Sequence, residues 1–126
     1  MKITYRVAAT DKRSSLLAAD ALRARLYVPG WMLGGELSDI RSKCNAENYK
    51  TCVAVAYLNG VAIGVCTSRK WKDYTDSTVM IFVRKKHRRC GIGTKLIKKT
   101  TSKLKGYGSG GVDGADKFWN KVEKKS

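Results

Sequence analysis

Hydrophobic and polar positions alternate over residues 2–8, with Ile3, Tyr5 and Val7 on one side and Lys2, Thr4 and Arg6 on the other. A period of two predicts a strand with one solvated face. Thr10 and Asp11 then offer capping oxygens ahead of a helix over about 12–27, in which Leu16, Leu17, Ala21 and Ala24 recur at helical spacing. Pro29 and Gly30 stop it. Residues 28–48 carry no clean period. Trp31 and Met32 beside glycines read as a core plug between two elements, or as a loop that closes over a ligand, and a short helix begins at Ser38. Residues 49–58 and 61–67 are rich in β-branched and aromatic side chains. Asn59-Gly60 between them is the strongest short signal for a two-residue hairpin turn.

After a basic, polar connection the run Val79-Met80-Ile81-Phe82-Val83 is apolar on both faces, as a strand buried inside a sheet should be. Residues 84–89 break it. From Gly91 a helix carries Ile92, Leu96, Ile97, Thr100 and Leu104 on its inward side and lysines elsewhere. A glycine-rich stretch, 106–114, is a poor strand by composition. Asp113 caps a last helix with Ala115, Phe118, Trp119 and Val122 at i, i+3, i+4 and i+7. The order β-α-(α)-β-β-β-α-α predicts an α+β fold, a mixed, mainly antiparallel sheet with helices packed on it. At 126 residues the chain is expected to be one domain, 1–126, and 43% hydrophobic residues suffice for one modest core. No run approaches the length of a membrane span, and the N-terminus lacks the apolar stretch of a signal peptide. No membrane partner is expected, and the expected location is cytoplasmic.

Charge narrows the picture further. Twenty-six Lys and Arg against ten Asp and Glu give a formal net of +16, and no acidic residue occurs between Ser77 and Val112. Such a localised field attracts polyanions: nucleic acid, an acidic protein face or a phosphorylated cofactor. Cys44, Cys52, Cys66 and Cys90 are spread out with no C-x-x-C pair, which argues against zinc. Cys52 and Cys66 read as small core residues, and four free thiols fit a reducing compartment.

The chemistry concentrates at Arg88-Arg89-Cys90-Gly91-Ile92-Gly93, where the buried strand hands over to a helix. Walker A spacing is absent, and so is the third glycine of a Rossmann turn, since Leu96 stands in its place. What remains is a strand-to-helix turn whose glycines let backbone N–H groups approach an anion without a Cβ in the way. The helix dipole and unpaired amides favour a pyrophosphate there, with Arg88 and Arg89 adding charge-assisted contacts.

At these residues the chain resembles the GNAT superfamily of acyl-CoA-dependent N-acyltransferases, whose acyl-CoA motif is R/Q-x-x-G-x-G/A. Arg88, Gly91 and Gly93 match that motif, and Val83 lies where the family has the valine ending its fourth strand. Ile92, Thr94, Leu96 and Ile97 follow the family's helix entry, and the hairpin around Asn59-Gly60, with Gly64, looks like its second and third strands. Ala115, Phe118 and Trp119 are similar to its closing helix. The resemblance implies a GNAT-like fold and an acetyltransferase using acetyl-CoA as acyl donor. It implies that backbone groups of Ile81 and Val83 pair with the pantetheine arm. Backbone amides from Arg89 through Cys90, Gly91, Ile92, Gly93 and Thr94, with the Arg88 side chain and the Thr94 hydroxyl, would then hold the pyrophosphate. Cys90 reads as filler, because the family transfers acyl groups directly to an amine.

The departures lie on the acceptor side. Direct transfer needs a neutral amine and a proton for the departing thiolate. Relatives often use a carboxylate near the fourth strand and a tyrosine on the last helix. Here Trp119 takes the tyrosine's place, and the carboxylates near the fourth strand are Asp73 and Asp76, of which Asp76 is the candidate base. Tyr74 and Tyr107 are alternative proton donors. The fifth strand is at best a remnant at 107–112, which leaves the acceptor cleft open or completed by a second subunit of a homo-oligomer. An open basic cleft suits a macromolecular acceptor, a protein lysine or N-terminus or an aminoacyl-RNA, acidic or nucleic-acid-associated. The alternatives are a non-catalytic module of the same fold that binds nucleic acid, or one that disables an acidic partner.

Overall fold

The first four strands form an antiparallel meander in chain order, β1 (Ile3–Ala9), β2 (Tyr49–Leu58), β3 (Val61–Trp71) and β4 (Ser77–Val83). A three-residue β5 (Gly106–Gly108) joins β4 in parallel. The computed structural model describes residues 2–9, 12–44, 46–73, 77–101 and 106–108. The mixed, mainly antiparallel α+β architecture expected from the sequence is what forms. Asn59 and Gly60 both adopt positive φ (51° and 80°), the two-residue turn that matches strand twist. A one-residue bulge follows, since Ala56 faces Gly64 while Tyr57 faces Ala62.

Helices cover both faces. On one lie α1 (Lys12–Arg23) and α2 (Met32–Ser42), bound to each other where the Ser15 hydroxyl donates to the Arg41 carbonyl at 2.6 Å. Leu17, Ala21, Leu33, Leu37 and Ile40 meet Val53, Val55, Val65 and Met80 there. On the other face α3 (Ile92–Thr101) presses Ile92, Leu96 and Ile97 onto Ala54, Ala56, Ile63, Val79 and Val83. Gly64 permits that approach: a Cβ there would lie 3.1 Å from Leu96 Cδ1 and 3.4 Å from Val83 Cγ2. Lys95 and Lys99 of α3 reach over the Tyr5 ring, 5.6 and 5.5 Å from its centroid. Cys52 and Cys66 are fully buried, as their apolar surroundings suggested.

Three local expectations need correction. The first helix ends at Arg23 rather than near Tyr27. Arg25 turns left-handed (φ 56°) and the Leu26 N–H bonds back to the Ala21 carbonyl at 2.9 Å, a stop made before Pro29 is reached. The second helix starts at Met32, not Ser38, and closes the same way: Lys43 has φ 59° and the Cys44 N–H donates to the Asp39 carbonyl. Trp31 and Met32 are not a core plug. They are 52% and 74% exposed, because the stripe that α2 buries is Leu33, Glu36, Leu37 and Ile40. The expected last helix (Ala115, Phe118, Trp119, Val122), the caps Thr10 and Asp11, and Leu104 lie outside the described residues.

Candidate functional site

The turn from β4 into α3 is held from three sides. The Arg84 N–H donates to the Ile63 carbonyl of β3 at 2.9 Å, and its guanidinium donates to the Ala24 carbonyl at the end of α1, also at 2.9 Å. Lys85–His87 make one 3-10 turn, with the His87 N–H on the Arg84 carbonyl at 2.8 Å. Arg88 then folds back so that Nε donates to the Val83 carbonyl at 2.8 Å, with its guanidinium carbon 5.6 Å from the Phe82 ring centroid. Arg88, the first residue of the motif, therefore braces the turn as well as carrying charge into it.

Arg89 and Gly91 both turn left-handed, φ 67° and 80°. For Gly91 this is the conformation an L side chain rarely takes, and nothing lies within 4 Å of where its Cβ would be. The first helical bond runs from the Lys95 N–H to the Gly91 carbonyl at 3.1 Å. Ile92, Gly93 and Thr94 thus precede the first residue able to bond within the helix, and a glycine at the cap supplies no side-chain oxygen to them. The ten-residue helix adds its dipole at the same point. Cys90 is exposed on this turn.

The edge of β4 is set by register. Backbone groups of an antiparallel strand face one neighbour every second residue, and the Arg84 N–H faces β3. Those of Ile81 and Val83 therefore face the opposite side, which agrees with the Val83 carbonyl accepting from Arg88. On that side β5 pairs with Ser77, Thr78 and Val79. Beyond Val79 no described strand pairs with that side of β4. The end of β4 and the helix turn are consecutive along the chain, which gives one continuous run of backbone from Ile81 and Val83 to the amides of the first helical turn. This run fits a long acyl thioester with a pyrophosphate at one end. Ile81, Val83 and the loop residues 88–94 are all brought to it. Asp76 lies outside the described residues, as do Tyr74 and Trp119, and of Tyr107 only the backbone is described. Asp73 is exposed.

Beside the turn, toward α1, an open groove of about 770 Å³ is lined by Arg25, Phe82, Lys85, Lys86, His87 and Arg88 among others. It is a basic recess with an apolar floor.

One titratable residue went unnoticed in the sequence. Glu36 of α2 faces the sheet and is 6% exposed, the one buried carboxylate among the described residues. Burial pushes its pKa up to about 7, against the lowering pull of Arg69 and of the Thr67 hydroxyl, with Asp39 raising it slightly. Glu36 Oε1, Thr67 Oγ1 and Arg69 Nε are all buried without a well-formed hydrogen bond. The signal was present: Leu33, Glu36, Leu37 and Ile40 stand at i, i+3, i+4 and i+7, an acid inside an apolar stripe.

A mixed, mainly antiparallel sheet whose fourth strand runs into a glycine-bearing turn at a helix N-terminus is an α+β arrangement, and the comparisons give it a family. The model of the acetyltransferase (GNAT) family matches residues 19–116, and the chain belongs to that family. Its fold is similar to that of an aminoglycoside acetyltransferase from an uncultured soil metagenomic sample, crystallised with trehalose. That structure is 17% identical, has a TM-score of 0.62, and the match covers 98% of this chain and 89% of the other. A predicted acetyltransferase from Clostridium acetobutylicum, solved with acetyl-CoA, is 18% identical with a TM-score of 0.60, covering 98% and 88%. The putative acetyltransferase yncA from Salmonella typhimurium, solved with its cofactor acetyl-CoA, is 16% identical with a TM-score of 0.57, covering 99% and 78%. No curated protein matches the sequence.

Proposed function

We propose that this protein is an N-acetyltransferase that moves the acetyl group of acetyl-CoA onto an amine carried by a macromolecule. Membership of the acetyltransferase family and the acetyl-CoA found in similarly folded proteins support the donor and the reaction. When bound, acetyl-CoA supplies an activated thioester carbonyl. In this reading the backbone amides of Arg89, Cys90, Gly91, Ile92, Gly93 and Thr94 take the pyrophosphate oxygens, with the Arg88 side chain and the Thr94 hydroxyl beside them. The edge groups of Ile81 and Val83 align the pantetheine arm. Asp76 serves as the base candidate from the sequence. The single observation that carries the reading is the continuity of the Ile81 and Val83 backbone, which faces away from β3, with the first-turn amides of α3.

The acceptor preference rests on charge. A net +16 and the basic groove next to the turn favour an acceptor that is itself acidic or associated with nucleic acid. A second reading, a polyamine-like small molecule, is favoured by the aminoglycoside acetyltransferase among the similar folds. Calorimetry with acetyl-CoA, followed by mass spectrometry of acetylated protein, RNA-linked and aminoglycoside acceptors, tests both. A folded protein that binds no acetyl-CoA ends the first reading and leaves a nucleic-acid-binding module, whose affinity would fall steeply with salt.

A further inference from the structure

The groove beside the turn gathers cationic side chains and no acidic one: Arg25 just past the end of α1, and Arg84, Lys85, Lys86 and Arg88 from the β4–α3 connection. Two of these are pinned by neutral partners. The Arg84 guanidinium donates to the Ala24 carbonyl at 2.9 Å, and Arg88 Nε donates to the Val83 carbonyl at 2.8 Å. Each spends one N–H donor and keeps its charge. The Arg84 bond also ties the two walls of the groove together, since Ala24 precedes Arg25 and Arg84 opens the turn. Among the described residues no carboxylate pairs with any of these cations. Asp20, one helical turn before Ala24, is engaged elsewhere, by the Tyr57 hydroxyl at 2.6 Å and by Arg23 at 2.8 Å.

The floor between the charged walls is apolar. Leu58 and Val61 flank the hairpin turn, and Ile63 and Phe82 come from β3 and β4. Val61 is 56% exposed there, a large apolar side chain left in water. The groove is also set apart from the anion turn. Phe82 packs against the cluster under α1 and α2, whereas α3 lies on the opposite face of the sheet, and the groove stops at Arg88 where the turn's amides begin. A ligand that uses both walls and floor carries repeated negative charge beside apolar faces. A single-stranded polynucleotide does so, with a phosphate and a flat base in every unit. Arginine forks held in place by backbone carbonyls suit phosphate oxygens. A duplex keeps its bases stacked inside and would leave Val61 and Phe82 in water. An acidic peptide brings carboxylates on side chains with little apolar surface to cover them.

We infer that this groove binds the sugar–phosphate backbone of a single-stranded polynucleotide, with Arg25, Lys85 and Lys86 on its phosphates and bases laid against Val61 and Phe82. The inference deepens the acceptor reading above and rests on it for the link to acetyl transfer: the groove anchors the strand that carries the amine and takes no part in the chemistry. Such a site is tolerant of base sequence, because charge and flat apolar faces are common to all nucleotides.

The probe is a fluorescein-labelled oligouridylate of about twelve nucleotides, followed by fluorescence anisotropy without acetyl-CoA. Arg84 and Arg88 stay in place because they brace backbone carbonyls. The groove variant is Arg25→Gln/Lys85→Gln/Lys86→Gln. The control, Lys50→Gln/Lys70→Gln/Lys72→Gln, removes the same charge at the other end of the hairpin, where Lys50 lies opposite Lys70. Loss of the phosphate contacts should weaken binding by the groove variant about 100-fold at about 0.1 M salt and flatten the slope of log affinity against log salt by about two. The control should stay within about threefold of wild type, since distant charges are screened. Wild type should prefer the single strand to a duplex of the same length by at least about tenfold. In calorimetry the two variants should bind acetyl-CoA alike. Equal losses of oligouridylate binding from the two variants would reduce it to net charge and overturn the groove. Equal binding of single strand and duplex, or of oligouridylate and polyglutamate, would overturn the occupant. A groove variant that loses acetyl-CoA affinity by a similar factor would assign the groove to the cofactor instead. Wild type that binds acetyl-CoA but no oligouridylate overturns the groove alone, whereas wild type that binds the strand but no acetyl-CoA supports the groove and ends the transfer reading.

Discussion

The two faces of the sheet are closed on different terms. Under α3 the packing is apolar, and its buried polar groups are neutral: Cys66 meets Thr100 at 3.2 Å, burial pushes the thiol up to about 12, and the Ser68 hydroxyl carries no charge. Under α2 the same depth of burial holds a carboxylate whose Oε1 has no hydrogen-bond partner and a guanidinium whose Nε has none. Removing an ionised group from water costs several kcal/mol unless something compensates. A leucine at that place would carry no such penalty, so the α2 face is closed at an electrostatic cost that the α3 face does not bear. The helix of the α3 face leads directly out of the turn at residues 88–91.

The largest break in this comparison should come from the core of the α3 face. Leu96→Ala should cost about 2–5 kcal/mol in denaturant unfolding, and acetyl-CoA affinity should fall with it, because α3 carries the turn. Leu37→Ala, equally buried on the α2 face, should cost a similar amount and leave affinity largely intact. Equal affinity losses from the two would erase the division of labour.

Next comes a pH effect confined to the α2 face. Glu36 has a folded pKa raised above its ordinary value, so its contribution is fully present at low pH and is lost as pH rises toward 7. Glu36→Gln should therefore match wild type near pH 4 and exceed it by about 3 kcal/mol at pH 8. A stability difference that does not grow between those values would mean that the carboxylate is paired.

At the turn, Gly91→Asp places a side chain on a backbone with φ 80° and a negative charge where the anion should sit. Acetyl-CoA binding should weaken by about 2 kcal/mol, roughly thirtyfold, with far-UV circular dichroism unchanged. Smallest of all, Arg88→Lys keeps the charge but loses the Nε bond to the Val83 carbonyl. It should cost about 1 kcal/mol of stability and more affinity than charge alone explains.

What could be read in the sequence divides along the same line. The hairpin at Asn59-Gly60 and the turn at Arg88-x-x-Gly91-x-Gly93 were legible because their chemistry is local, written in the residues that permit positive φ. The ends of α1 and α2 were not. Arg25 and Lys43 take the left-handed position where a glycine would have announced the stop. Gly34 and Gly35 broke the appearance of a helix from Met32, and the loop reading hid the stripe that carries Glu36. Its burial depends on which strand α2 lies over, a tertiary fact with only an out-of-place acid as its local trace. The base candidate Asp76 came from proximity to the fourth strand alone and lies outside the described residues.

The central claim is that the β4 edge and the α3 turn form one acyl-CoA surface. A crystal structure of the protein with CoA tests it most directly. The account predicts pyrophosphate oxygens within hydrogen-bond distance of backbone N–H groups in residues 89–94, and the pantetheine arm along Ile81 and Val83. CoA bound away from this turn, or a folded protein that takes up none, would contradict it.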